Sequence, residues 1–227
     1  NLDAVLAALP IIRQALPSCT IVLGGRSVEA DPQSILDENP SISALILGEG
    51  ELAFARLLKQ NLASFYTIQG LAFLGHPKSR PISTGQVISN LDQLPSPFLM
   101  GILDPPRNAV MLELSRGCLH ACGYCTWNAN KSLRFFSPER TYNTIRWALE
   151  KGHQHITLID SAINYDSRAL AEHVAAIRSA DPDGQIHFTY NVRHDCLDSE
   201  TLTSLSKLPT HMLLLGIETL NPPAMGS

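Results

Sequence analysis

Apolar residues fall in short blocks along the chain, and their spacing changes from block to block. Residues 2–16, LDAVLAALPIIRQAL, carry them at helical spacing, with Pro10 as an expected kink or break. Thr20-Ile21-Val22-Leu23 predicts a short strand, which Gly24-Gly25 ends. Asp31-Pro32 predicts an N-cap and the first position of a helix running to about Asn39. Ser43-Ala44-Leu45-Ile46-Leu47 is the next strand, and Gly48-Glu49-Gly50-Glu51 is a turn that opens a helix through about Lys59. The order α-β-α-β-α is that of a parallel, doubly wound sheet.

Residues 62–107 read as a connector. Gly70-Leu71-Ala72-Phe73-Leu74-Gly75 and Gln86-Val87-Ile88 predict a small hairpin around the polar Pro77–Gly85 loop. Prolines then crowd residues 90–106, which favours an extended, ordered strap over sheet or helix.

From residue 109 the pattern is regular. Ala109 to Leu114 predicts a buried strand. Ser137-Pro138 starts a helix to about Lys151, and Gln154 to Ile159 is a strand ending at Asp160-Ser161. Ser167 to Ser179 is a helix with Leu170, Val174 and Ile177 on one face, and Gln185 to Tyr190 is a strand leading to Asn191 and Arg193. Asp198 caps a helix to Leu205, and His211 to Leu215 is a strand that ends in Gly216-Ile217-Glu218-Thr219. This is β-α-β-α-β-α-β, the front of a parallel barrel or partial barrel.

Ser115 to Cys125, SRGCLHACGYC, follows the first of these strands. It places Cys118, Cys122 and Cys125 at C-x3-C-x2-C, with Tyr124 directly before the third cysteine. Three close thiolates can hold three corners of an iron–sulfur cube and leave one iron open for chemistry. Two other readings compete. One is a zinc site completed by His120, His153 or His155, although structural zinc sites usually pair two separated C-x2-C knuckles, and there is no second knuckle here. The other is a disulfide, but three clustered cysteines cannot all pair. The remaining cysteines, Cys19 and Cys196, read as buried fillers, and the thiol usage suits a reducing cytoplasm.

Composition narrows the classes. Hydrophobic residues make up 44% and charged residues 17% of the 227, which suits an α/β protein with buried strands. A net charge of −4 without a long basic run argues against a broad nucleic-acid surface. No apolar run is long enough to span a membrane as a helix.

The cysteine motif with its aromatic resembles the signature of the radical S-adenosylmethionine (SAM) superfamily. The resemblance implies a [4Fe-4S] cluster whose open iron chelates the amino and carboxylate groups of SAM. An electron then cleaves the sulfonium to methionine and a 5′-deoxyadenosyl radical, which takes a hydrogen from the substrate. VLGG, a proline-led helix, LILGEGE, a further helix and the LDQLP linker resemble the cobalamin-binding domain that precedes the radical SAM core in one large subfamily. There, Gly24, Gly25, Arg26, Gly48, Glu49 and Gly50 would border the cobalamin nucleotide tail, in line with ligand binding at the carboxyl ends of parallel strands. Alone, these glycines could simply permit tight turns.

The expected fold is α/β. A partial Rossmann-like cobalamin-binding domain (1–61) and the connector (62–107) precede the first half of a radical SAM partial (β/α) barrel (108–227). The chain reads as a fragment cut at both ends. By position, Asp160 matches the acidic motif that binds the SAM ammonium, departing from the usual Gly-Gly-Glu form. Ser161 lies beside it, Arg193 could pair with the carboxylate, Glu218 could accept from ribose or ammonium, and Tyr124 would pack near adenine. The bland reading is that such strand-end acids cap the next helix. Trp127 is expected to pack over the cluster loop.

The resemblance implies C-methylation or a related radical rearrangement of a small-molecule or peptide substrate, with cobalamin as methyl carrier. It also implies an electron donor such as flavodoxin or ferredoxin. A radical SAM enzyme with a vestigial cobalamin domain is the second reading. A non-catalytic protein stabilised by zinc or a cluster is the third.

Overall fold

The structure, a computed structural model, describes residues 2–61, 66–75, 85, 87–107, 109–120, 122–125 and 131–217. The chain divides into two compact units, Asn1–Ile88 and Ser89–Ser227. The stretch read as a connector is shared between them, since residues up to Ile88 go with the first unit and those from Ser89 with the second.

In the first unit, helix α1 (Leu2–Ala15) runs through Pro10 instead of ending there. Leu2, Leu6 and Leu9 pack into one apolar cluster on its inner side, and this packing holds the helix across the missing N–H. Strand β1 (Val22–Gly24) is followed by α2 (Pro32–Glu38), which Asp31 caps by accepting from the Ser34 N–H, with Pro32 in the first turn. Strand β2 (Ala44–Ile46) pairs with β1 in parallel, and α3 (Gly50–Lys59) follows it.

Strand β3 (Leu71–Ala72) then joins the other edge of β2, antiparallel. The hairpin predicted between 70–75 and 86–88 is not seen among the described residues. β3 takes β2 as its partner, because β2 offers a buried row of peptide groups that must be satisfied. Val87 and Ile88 lie outside any strand. The Gly85 N–H donates to the Leu47 carbonyl at 2.8 Å, and the Ile88 N–H donates to the Glu49 carboxylate at 3.0 Å. Most of the loop predicted at Pro77–Gly85 is outside the described residues. Leu45 and Leu47 join the cluster of Leu9, Val28 and Leu36, whereas Ile46 joins Ala53, Leu57 and Leu71 on the other side. Both faces of this small sheet are thus covered, but it is mixed and not the parallel sheet expected, because β3 runs antiparallel to β2.

The second unit opens with the proline-rich strap. A single 3₁₀ turn at Leu91–Gln93 interrupts it, and Asn90 caps that turn through the Asp92 N–H. The Asp92 carboxylate accepts from the Ser137 N–H at 3.1 Å, and Arg140 donates to the Leu94 carbonyl while lying over the Phe136 ring. The strap is therefore tied to the start of the following helix.

Strand β4 (Val110–Leu112) leads into a two-stranded antiparallel sheet of β5 (Ser115–Arg116) and β6 (Arg134–Phe135). Then come α4 (Pro138–Glu150), β7 (His155–Leu158), α5 (Ser167–Ala180), β8 (His187–Arg193), α6 (Ser199–Leu205) and β9 (Thr210–Gly216). The main sheet has the order β4-β7-β8-β9 with every neighbouring pair parallel. Ser137, Asp166 and Asp198 cap the three helices, each accepting from the N–H three residues on.

One face of this sheet, carrying Val110, Leu112, Ile156, Leu158, Phe188, Tyr190 and Val192, packs on Ile145, Leu170, Val174, Ile177 and Leu205 of the helices. The alternate residues Met111, Thr157, Thr189, Asn191 and Arg193 face away from that core. All seven residues of β9 are exposed.

Candidate functional site

The cysteine loop leaves β5 and returns to β6, so the antiparallel pair Ser115↔Phe135 and Arg116↔Arg134 ties its two ends together. The sequence reading missed this pair, because each strand is two residues long. Gly117 turns the chain out of β5 at φ 109°, and a Cβ there would collide with the Ser132 carbonyl. Cys118 follows and is buried, while Cys122 and Cys125 are half-buried on a turn closed by the Cys125 N–H to the Cys122 carbonyl at 3.0 Å. All five cysteines are thiols. Residues 126–130, with Trp127, lie outside the described residues, as does Glu218.

The back of the loop is held by the segment after β7. The Asp160 carboxylate accepts from the Leu114 N–H at 3.1 Å, from the Ser115 N–H at 2.5 Å and from the Ser115 hydroxyl at 2.6 Å. At 1% exposure it has no face turned to solvent. Burial raises its pKa to about 6, against the three hydrogen bonds, which pull it down. Ser161 donates to the Gly117 carbonyl at 2.7 Å. Tyr165 Oη lies 3.1 Å from Cys118 Sγ, and its ring stacks on His120 with centroids 5.7 Å apart. Burial and the contact with Cys118 push the phenol pKa upward, so Tyr165 stays neutral.

The same segment grips β8. The Ile163 N–H donates to the Asn191 carbonyl, Asn191 Nδ2 to the Asp160 carbonyl, and the Arg193 N–H to Asn164 Oδ1. Arg193 meets Asp195 through Nε at 2.8 Å and Nη2 at 2.6 Å, and this pair holds the Asp195 pKa down at about 2. Tyr124 is exposed.

The carboxyl ends of β4, β7 and β8 thus gather Cys118, Asp160, Ser161 and Arg193. Sequence reasoning named these and missed Ser115, Asn164 and Tyr165. Polar residues between a strand and the next helix are common, and which backbone groups they reach depends on the parallel register.

The histidines of the zinc reading are placed differently. His155 begins β7 and its Nε2 lies 2.9 Å from Thr189 Oγ1, while His153 stacks on Trp147. The strand separates both from the cysteine loop by about 13 Å of backbone rise. Only His120 is on the loop itself.

In the first unit, the turns after β1 and β2 come together. Gly25 has φ 94° and Gly48 φ 76°, and the Gly48 N–H donates to Glu29 Oε1 at 3.2 Å. Arg26 pairs with the other oxygen of Glu29 at 2.9 Å. Glu29, unremarked in the sequence, therefore joins the two glycine turns. Gly24 ends β1, Gly50 starts α3, and Glu49 is tied to Ile88.

The sequence profile of the Radical SAM superfamily matches residues 112–224, which includes the cysteine loop and the strand ends behind it. The chain belongs to the radical SAM superfamily. It is 27% identical over 165 residues to 2-(S-pantetheinyl)-carbapenam-3-carboxylate methyltransferase from Streptantibioticus cattleyicolor, covering 66% of this chain and 24% of the relative. It is 26% identical over 174 residues to the cobalamin-dependent radical SAM methyltransferase TokK from Streptomyces tokunonensis, covering 70% and 26%. The chain thus spans about a quarter of the length of these relatives. Among solved structures it resembles the radical SAM methyltransferase TsrM from Kitasatospora setae, at a TM-score of 0.72 and 16% identity, over 96% of this chain and 45% of that one. That likeness is one of fold.

Membership in the superfamily implies a [4Fe-4S] cluster and SAM. Among the described residues no three His, Cys, Asp or Glu side chains converge as they would on a bound metal ion. The donor set nevertheless fits a cluster: three thiols lie within eight residues of one loop, which is tied at both ends. No helix of the described residues is long and apolar enough to cross a membrane.

Proposed function

We propose that the protein carrying this chain is a cobalamin-dependent radical SAM enzyme that methylates an unactivated carbon of a small-molecule or peptide substrate. The observation that carries the radical SAM part is the three-thiol loop held at the carboxyl ends of a parallel sheet, where such sheets place their chemistry. The cobalamin part rests on the joined glycine turns of the first unit, together with the similarity to TokK.

When bound, the cluster supplies the electron that splits the SAM sulfonium, and cobalamin carries the methyl group. The chain's own residues hold and orient. Cys118, Cys122 and Cys125 are the iron ligands. Asp160, with both oxygens taken by Leu114 and Ser115, acts as a positioning residue rather than as the ammonium ligand that its place in the sequence implied. Arg193 is oriented by Asp195, and its remaining guanidinium donors can meet the SAM carboxylate. Tyr124, Ser161 and Glu218 complete the proposed SAM contacts. Gly24, Gly25, Arg26, Gly48, Glu49 and Gly50 are proposed to border the cobalamin tail. An electron donor such as flavodoxin or ferredoxin supplies the reductant.

The test is anaerobic reconstitution of the full-length protein with iron, sulfide and hydroxocobalamin, followed by desalting. About four irons per chain, a retained corrin spectrum and reductive cleavage of SAM support the reading. A cluster that cleaves SAM without retained corrin leaves a radical SAM enzyme whose first domain is vestigial. One zinc per chain in place of iron removes both.

A further inference from the structure

We infer that the Tyr165 hydroxyl donates a hydrogen bond to the Cys118 thiolate of the cluster and raises the cluster's reduction potential. The inference rests on the cluster reading above. Tyr165 belongs to the loop between β7 and α5, not to the cysteine loop, and nothing in the cysteine motif points to it.

The contact is 3.1 Å between Oη and Sγ. A thiol and a phenol could each be the donor. A metal-bound thiolate has only lone pairs to offer, so with the cluster in place the direction is fixed and the phenol donates. The sulfur is also the most enclosed of the three ligand sulfurs' residues, with Cys118 at 7% exposure, so a hydrogen bond there is little screened by water.

The donor is held from several sides. Asp160 fixes the start of its loop through Leu114 and Ser115, and Ser161 is fixed through the Gly117 carbonyl. Asn164, immediately before Tyr165, donates to the carbonyls of Arg193 and Cys196 and accepts from the Arg193 N–H. His120 stacks on the ring. A phenol anchored in this way keeps its hydroxyl at the sulfur without a large loss of side-chain freedom on binding.

The consequence follows from charge. Reduction adds an electron to a cluster whose negative charge is spread over its sulfurs. A donor aimed at one sulfur stabilises the reduced form more than the oxidised form, so the potential rises. Tyr165 would act through Cys118 as a tuning residue. It would ease electron entry from a soluble donor without touching SAM.

The experiment is a dithionite titration of the reconstituted full-length protein, followed by electron paramagnetic resonance, for the native chain, Tyr165→Phe and Tyr190→Phe. Tyr190→Phe removes a buried hydroxyl that meets Thr210 on β9, away from the cysteine loop. Tyr165→Phe should keep about four irons and lower the one-electron reduction equilibrium roughly three- to tenfold, which is about 30–60 mV at 59 mV per decade. Tyr190→Phe should leave the potential unchanged. Introducing 3,5-difluorotyrosine at position 165, a stronger donor of nearly the same shape, should raise the potential. Opposite shifts cannot come from a loosened loop, and this arm decides the matter if Tyr165→Phe loses its cluster. An unchanged potential with difluorotyrosine, or with Phe at full iron content, overturns the inference. A native chain that assembles no four-iron cluster defeats the functional reading instead, which is a distinguishable result.

Discussion

Ser115 donates to Asp160 twice, through its backbone N–H at 2.5 Å and its hydroxyl at 2.6 Å. This pairing joins the end of β7 to the first residue of β5, three residues before the first cysteine of the motif. It makes the carboxylate part of the loop's support. Asp160→Ala would leave two backbone donors and a hydroxyl buried without an acceptor, at a cost of about 1–3 kcal/mol for each unsatisfied group. The expected outcome is loss of iron from the loop together with weaker SAM binding. Iron content and SAM affinity measured on the same preparation check this. Full iron with weakened SAM binding would return Asp160 to the role of ammonium ligand.

The buried carboxylate also predicts a pH dependence. Its folded pKa, about 6, lies above the ordinary aspartate value. The folded state therefore binds the proton more tightly than the unfolded state does. The stabilisation is present at low pH and declines as pH rises from about 4 to about 6. A shift of about two units corresponds to on the order of 3 kcal/mol. The buried His173, whose pKa is lowered mainly by burial, has the opposite trend as pH falls, so the native chain alone would mix the two. The stability difference between the native chain and Asp160→Asn cancels His173. That difference should become less favourable to the native chain from pH 4.5 to pH 7.5, as urea unfolding at the two values would measure. A difference independent of pH would mean that Asp160 is not buried as described.

Replacing Cys118, Cys122 or Cys125 with Ala should abolish the brown colour of the reconstituted protein, because a cube held at two corners is readily lost. Cys19→Ala and Cys196→Ala should leave it intact. Iron and sulfide analysis of all five variants is the check. Equal behaviour across the five would mean that the motif does not hold the cluster.

Gly117→Ala should be as damaging as losing a cysteine. Its φ of 109° disfavours any side chain, and the added Cβ meets backbone at Ser132 rather than a side chain that can move away. Iron content should fall sharply, while the far-ultraviolet circular dichroism of the sheet and helices is kept. Gly123→Ala, where a Cβ meets nothing within 4 Å, serves as the tolerant control on the same loop.

For cobalamin, Gly24→Val is the informative substitution. Gly24 lies in β1, and a Cβ there would make ordinary contacts of 3.7 Å with Ile46. Gly25 and Gly48 have positive φ, so valine at either would strain the backbone whatever it did to a ligand. Gly24→Val in the full-length protein should reduce retained corrin after desalting and leave the iron content unchanged. Undiminished corrin would place the nucleotide tail elsewhere.

The cysteine spacing, the caps Asp31, Ser137 and Asp198, and the alternation of strand and helix from residue 109 are local properties, and the sequence alone determined them. Capping depends on a side chain and an N–H three residues away, and burial of a parallel strand depends on its own apolar run. Other features needed the tertiary structure. β3 pairs with β2 and not with Val87 or Ile88, because the choice of partner depends on which edge is open when the chain collapses. Ser115 and Phe135 form a pair too short to leave a pattern. Glu29 reaches Gly48, Asp160 reaches Ser115, and Tyr165 reaches Cys118, each across the register of parallel strands that are distant in sequence. A parallel register is fixed by the packing of intervening helices, and no short stretch of sequence encodes it. The motif named the three thiols, but the fold chose the groups behind them.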